Sequence, residues 1–132
     1  FSLDLRAPTD PQRDALVRDV LDHLGQIAAR RGLRYTLEES MRAAAAPSAP
    51  ALQHHWERAV DHLGVPVFRM PSGAGHDAMK LHEIMPQAML FVRGENSGIS
   101  HNPLESTTNN DMQLAVDAFT QVLHQLAEEQ QP

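Results

Sequence analysis

Two stretches of the chain, "VPVFRM" at residues 65–70 and "AMLFV" at 88–92, are apolar almost without interruption, and they limit the possible folds more than any other feature. A strand with one face in water alternates polar and apolar residues. A run that does not alternate belongs to a strand covered on both faces, as in a mainly parallel sheet between helices. The rest of the chain offers such helices. "TDPQRDALVRDVLDHLGQIAARRG" has Thr9 or Asp10 as cap, Pro11 in the first turn and Gly32 as stop, with an apolar stripe running from Leu16 to Ala28. Leu52, Trp56, Ala59, Val60 and Leu63 mark a second amphipathic helix closed by Gly64. A short helix is predicted over 75–85, stopping at Pro86, and a final one over 111–127. "FSLDLRAP", in which Phe1, Leu3 and Leu5 alternate with Ser2, Asp4 and Arg6, and "LRYTLEESMR" at 33–42 read as two further strands. "AAAAPSAP" is a joint that places a boundary near Pro47. The order β-α-β, joint, α-β-α-β-loop-α predicts an α/β fold in two units, residues 1–46 and 47–132.

Composition narrows the function. A net charge of -6 with scattered Lys and Arg argues against a nucleic-acid-binding face. The one basic run, Arg30, Arg31 and Arg34, ends a helix, where cations complement the dipole. The absence of cysteine excludes disulfides and thiolate metal sites, so a metal here is held by His, Asp or Glu, and a cytoplasmic enzyme is the expected setting. No apolar run approaches the ~20 residues of a membrane span, so no membrane partner is expected. The chain opens inside a predicted strand and without Met, and so reads as the tail of a longer protein.

Two polar stretches carry the chemistry. In "PSGAGHDAM", 71–79, Gly73-x-Gly75-x-x-Ala78 fits the loose dinucleotide fingerprint, with Glu95 near the spacing of a ribose-binding acid. That reading fails on local requirements. Pro71 and Ser72 separate the strand from the first glycine, Asp77 would face the pyrophosphate, and the helix that follows is short. What is left is a turn whose glycines let the backbone approach a ligand, with His76 either presented to that ligand or packed in the turn. In "GISHNPLE", 98–105, His101 sits in a long polar loop before Asn102-Pro103, with Glu105 nearby. This form suits a metal ligand on a rigid turn, although one His cannot build a site. Arg6 reads from spacing as a surface pair with Asp4, and His54 and His55 read as surface positions because adjacent helical residues diverge.

Taken in order, "FSLDLRAP", "PSGAGHDAM", "MLFV", "GISHNPLE" and the closing helix resemble the C-terminal part of the zinc amidohydrolases that include allantoate amidohydrolase, N-carbamoyl-L-amino-acid hydrolase and ureidopropionase (beta-alanine synthase), within the aminoacylase-like zinc peptidase superfamily. The resemblance spans the chain. It implies the end of a zinc-exopeptidase-like catalytic domain, preceded by half of an α/β lid domain that makes the dimer contact. It also implies roles: His101 as ligand of one of two zinc or manganese ions, His76 as the catalytic histidine beside the scissile amide, Gly75 as the backbone that approaches the ligand, and Arg6 as the grip on the substrate carboxylate. The substrate class would be an N-carbamoyl or ureido acid and the parent enzyme a homodimer. The other metal ligands, the catalytic Glu, a lid Asn and a His from the partner subunit lie outside these residues in that family. The chain alone is therefore expected to be inactive and to bind metal weakly. The alternative is a stand-alone, non-catalytic binding or assembly module of the same fold.

Overall fold

The structure, a computed structural model, describes residues 1–129. The chain divides into two units, Phe1–Pro47 with Met70–Glu83, and Ser48–Arg69 with Ile84–Pro132.

The first unit is built on helix α1, Asp10–Arg31. Its start and stop are those the sequence encodes. Thr9 is extended and its hydroxyl accepts the Gln12 N–H; Gly32 adopts φ 63, ψ 28, a left-handed conformation that costs glycine little. The Leu33 N–H reaches back to the Ala28 carbonyl at 2.9 Å and the Gly32 N–H to Ala29 at 3.3 Å, so the last orphan carbonyls are met. A network of guanidinium groups ties residues 39–45 to the first turns of α1. Arg13 Nη1 bonds both Asp10 and the Ala43 carbonyl, Asp10 accepts the Ala45 N–H at 2.9 Å, and Arg42 bridges Asp14 and Glu39. Hydrogen bonds from Arg13 hold the Asp14 carboxyl below the usual carboxylate range, and those from Arg42 do the same for Glu39. Helix α3, Asp77–Leu81, is shorter than the predicted 75–85. Residues 82–85 continue only as turns, since proline at 86 disfavours helical geometry in the residue before it.

The second unit packs helix α2, Pro50–His62, against helix α4, Asn109–Glu129. Its core is Ala59, Ala118 and Val122, flanked by Trp56, Leu63, Leu90 and Leu126. Ala59 is wholly enclosed. Trp56 stacks on Phe119 with centroids 5.9 Å apart and rings inclined by 23°. Gly64, at φ 68, ends α2 with the same paired hydrogen bonds that end α1: Gly64 N–H to Asp61 and Val65 N–H to Val60. Thr108 serves α4, its hydroxyl accepting the Asp111 N–H at 3.0 Å.

The α/β expectation is not met in this structure. Among the described residues, segments 1–6, 33–42, 65–70 and 88–92 have no regular secondary structure. The physical reason is that a helix satisfies its own backbone, whereas a strand exists only beside a second strand that takes its N–H and C=O groups. Among the described residues no strand lies against these runs, and apolar side chains within them, such as Leu33, Leu37 and Phe68, stand exposed. Residues 88–92 come nearest to the expectation, with Leu90 leaning on the α2–α4 core.

Two outcomes follow from this packing. Ala59→Leu should lower stability in denaturant unfolding by about 1–3 kcal/mol, because there is no space for three further carbons between α2 and α4. The second concerns pH. Asp14, Glu39 and Glu57, the last hydrogen-bonded by Arg69, all have lowered pKa values in the folded chain. A lowered folded pKa stabilises above the unfolded value and is lost as pH falls through the folded one. The thermal midpoint should thus be level from about pH 8 to about 5 and decline below about 4. A midpoint that rises on acidification would contradict the ion-pair network.

Candidate functional site

Arg6 links two segments far apart in sequence. Its Nη1 donates to the Gly73 carbonyl at 2.6 Å across 67 residues, which brings the N-terminal "DLR" segment against the glycine turn at 71–76. Asp4 takes the side of the same guanidinium, with Nε donating to Oδ1 at 2.9 Å and Nη2 to Oδ2 at 2.6 Å. This is a two-point, fork-on-carboxylate contact. It holds the Asp4 carboxyl below the usual range and the Arg6 guanidinium above its own, chiefly through the hydrogen bonds. Both side chains are more than half exposed, so the pair adds little to stability. Its effect is on orientation.

The turn beyond is arranged by Ser72. The Ser72 hydroxyl lies 2.9 Å from His76 Nε2, accepts the Ala74 N–H and reaches the Ala74 carbonyl at 3.2 Å. Because a hydroxyl has one proton to give, Ser72 either donates to His76 or donates to Ala74 and accepts from Nε2–H. Both arrangements fix the ring. His76 is exposed at the cap of α3, with φ -137, and among the described residues its Nδ1 makes no hydrogen bond. The imidazole is therefore anchored on one nitrogen and open on the other, the condition for a proton donor or acceptor toward a ligand. Sequence reading singled out His76 but missed Ser72. The signal available was its i, i+4 spacing across a turn.

Gly75 does not need to be glycine for the fold. Its φ lies outside the left-handed region, and a Cβ there would meet only Met79 Sδ, at an ordinary 3.6 Å. Any demand for a bare backbone at this position comes from what approaches it.

His101 belongs to the second unit, so the structure gathers Arg6, Gly75 and His76 into one unit and carries His101 in the other. The loop that holds it, 93–108, is cross-linked by its own polar groups. Glu95 N–H donates to the Ser106 carbonyl, Asn96 Nδ2 to the Leu104 carbonyl, and Thr107 Oγ1 to the Arg93 carbonyl, at 2.7–2.8 Å. Arg93 also pairs with Asp111 on α4 at 2.9 Å. His101 adopts φ 55, a left-handed conformation unusual for a residue with a Cβ, and its N–H donates to Glu105 Oε2 at 2.7 Å. Asn102 closes the tip by accepting the Leu104 N–H on Oδ1 and the Glu105 N–H on its carbonyl. His101 itself is exposed.

The surface assignment of His55 is corrected. It is 5% exposed, with Nδ1 2.9 Å from Gln125 Oε1 and Nε2 3.3 Å from Glu129. Adjacent residues on a helix do diverge, and here the divergence sends His55 toward α4 while His54 stays in solvent. Arg58 donates to the same Gln125 oxygen, so His55 is part of the polar seam between α2 and α4. Among the described residues no three His, Asp or Glu side chains converge to hold a metal ion.

Residues 3–125 match the family model for peptidase family M20/M25/M40, and the chain belongs to that family. It is 34% identical over 128 residues to an N-carbamoyl-L-amino acid amidohydrolase of Geobacillus stearothermophilus, a match that covers 97% of this chain and 31% of that protein. It is 32% identical to the allantoate amidohydrolase of Bacillus subtilis (strain 168), over 96% of this chain and 31% of the relative. The allantoate deiminase of Arabidopsis thaliana is 34% identical, over 93% and 25%. The chain thus spans less than a third of the length of these relatives. Among the described residues no helix is long and apolar enough to cross a membrane.

The position of Gly75 gives a separable test. Gly75→Ala should leave the melting temperature unchanged, because a Cβ there meets only Met79 Sδ at ordinary contact distance. A lowered melting temperature would show that the fold itself requires the glycine.

Proposed function

We propose that the protein to which these residues belong hydrolyses a linear C–N bond of an N-carbamoyl or ureido acid such as allantoate. Support comes from its family and from the activities for which its relatives are named. The observation that carries the reading is the 2.6 Å hydrogen bond from Arg6 to the Gly73 carbonyl, because it sets a guanidinium against the turn that bears His76. A small acid with a carboxylate at one end and an amide or ureido carbonyl at the other needs such a pair: a planar cation for the first and a hydrogen-bonding imidazole for the second. In this reading Arg6 binds the carboxylate, Gly75 lets the substrate lie close to the backbone, and His76 bonds the carbonyl oxygen as charge develops on it. Ser72 keeps the ring in place while this happens.

His101 is proposed as one ligand of a two-ion zinc or manganese centre, with the other ligands supplied from outside these residues. The fold is proposed as the end of a zinc-exopeptidase-like domain, residues 47–132, with half of a lid domain, 1–46, and the working enzyme as a cytoplasmic homodimer. These 132 residues alone are proposed to be inactive.

The test is kinetic. In the active enzyme Arg6→Lys should raise KM for acidic ureido substrates with kcat little changed, since an ammonium cannot reproduce a planar fork. His76→Ala should lower kcat by roughly 10²–10³-fold, as for the loss of one donor to a developing oxyanion. Unchanged kinetics in both variants would remove the assignment.

A further inference from the structure

An arginine on an exposed stem samples many orientations, and an anion that binds it must first arrest them. In the first unit the chain has already done so. A guanidinium has five N–H donors in a fixed plane. Three are engaged here: Nε and one N–H of Nη2 by the Asp4 carboxylate, and one N–H of Nη1 by the Gly73 carbonyl. Among the described residues, Nη1 and Nη2 each keep one N–H.

We infer that Asp4 is a positioning residue for the substrate carboxylate: it grips the Arg6 guanidinium from the side, together with the Gly73 carbonyl, and leaves Nη1 and Nη2 to meet the incoming anion. This rests on the proposed role of Arg6. Asp4 acts through Arg6 and does not touch the ligand. Its two physical effects on an anion have opposite signs, which makes the inference decidable. As a negative charge beside the arginine, Asp4 repels a carboxylate; as a clamp, it removes the orientational entropy that binding would otherwise cost. At this exposed site charge effects are screened by water, whereas the geometry of a two-point contact is not, so the clamp governs.

The experiment measures Kd, KM and kcat on the active enzyme that contains these residues, with N-carbamoyl-L-alanine and allantoate, and Kd with the carboxamide of N-carbamoyl-L-alanine. Asp4→Ala should weaken binding of the two carboxylates about two- to fivefold, with kcat and carboxamide binding unchanged. Asp4→Asn, which keeps one acceptor for Nε–H, should fall between. In an Arg6→Ala background the Asp4 substitution should have no further effect. The Arg6 Nε–H resonance, slowly exchanging in the unsubstituted chain, should lose its protection in Asp4→Ala. If Arg6→Ala weakens carboxylate binding but Asp4→Ala leaves it unchanged or tightens it, the clamp is overturned and the role of Arg6 stands. If Arg6→Ala has no effect, or no carboxylate binds, both are overturned.

Discussion

The second unit depends on the close approach of α2 and α4 at two alanines. Ala59 and Ala118 are almost fully enclosed, and small side chains at a helix crossing let the backbones come near enough for Trp56 to stack on Phe119. The other features of the unit are placed from there. Leu90 leans on the same core, and the loop at 93–108 is bound to α4 through Arg93 and Asp111. His101 is thus presented by a loop whose base is fixed to the packed pair of helices, while its own backbone is held by Glu105. The polar seam of His55, Arg58 and Gln125 closes one side of the helix pair.

The first unit is held differently. Only Ala28 of α1 is buried among its apolar residues, and the order of residues 39–45 comes from guanidinium groups bonded to carboxylates and carbonyls. Arg6 repeats the device at the site, with one side of its plane on Asp4 and one N–H on Gly73. Exposed ion pairs of this kind contribute little to folding, but bidentate ones are specific in direction. The unit therefore uses arginine to set positions.

The hydrogen bond from Arg6 to the Gly73 carbonyl joins two segments 67 residues apart. The function proposed above has Arg6 and His76 address the two ends of one small molecule, which requires that the "DLR" segment and the glycine turn keep a constant separation. The Gly73 carbonyl supplies that constancy, since it lies in the same turn as Ser72 and His76.

The sequence by itself determined the ends of two helices, Thr9 and Gly32 for α1 and Gly64 for α2, because caps and breakers act through backbone conformation within a few residues; α3 stops at Leu81, short of the expected stop at Pro86. It also determined the family, through motifs whose residue types are set by chemistry. It announced apolar runs suited to strands, but a strand is a property of a pair, and the partner is not written in the run itself. The contacts that make the site were likewise settled only in three dimensions. The Asp4–Arg6 pair was readable from spacing, yet nothing in the order of residues says that the Gly73 carbonyl completes it, or that His55 rather than His54 is enclosed. Those are long-range hydrogen bonds and burial, and they exist only once the chain has folded back on itself.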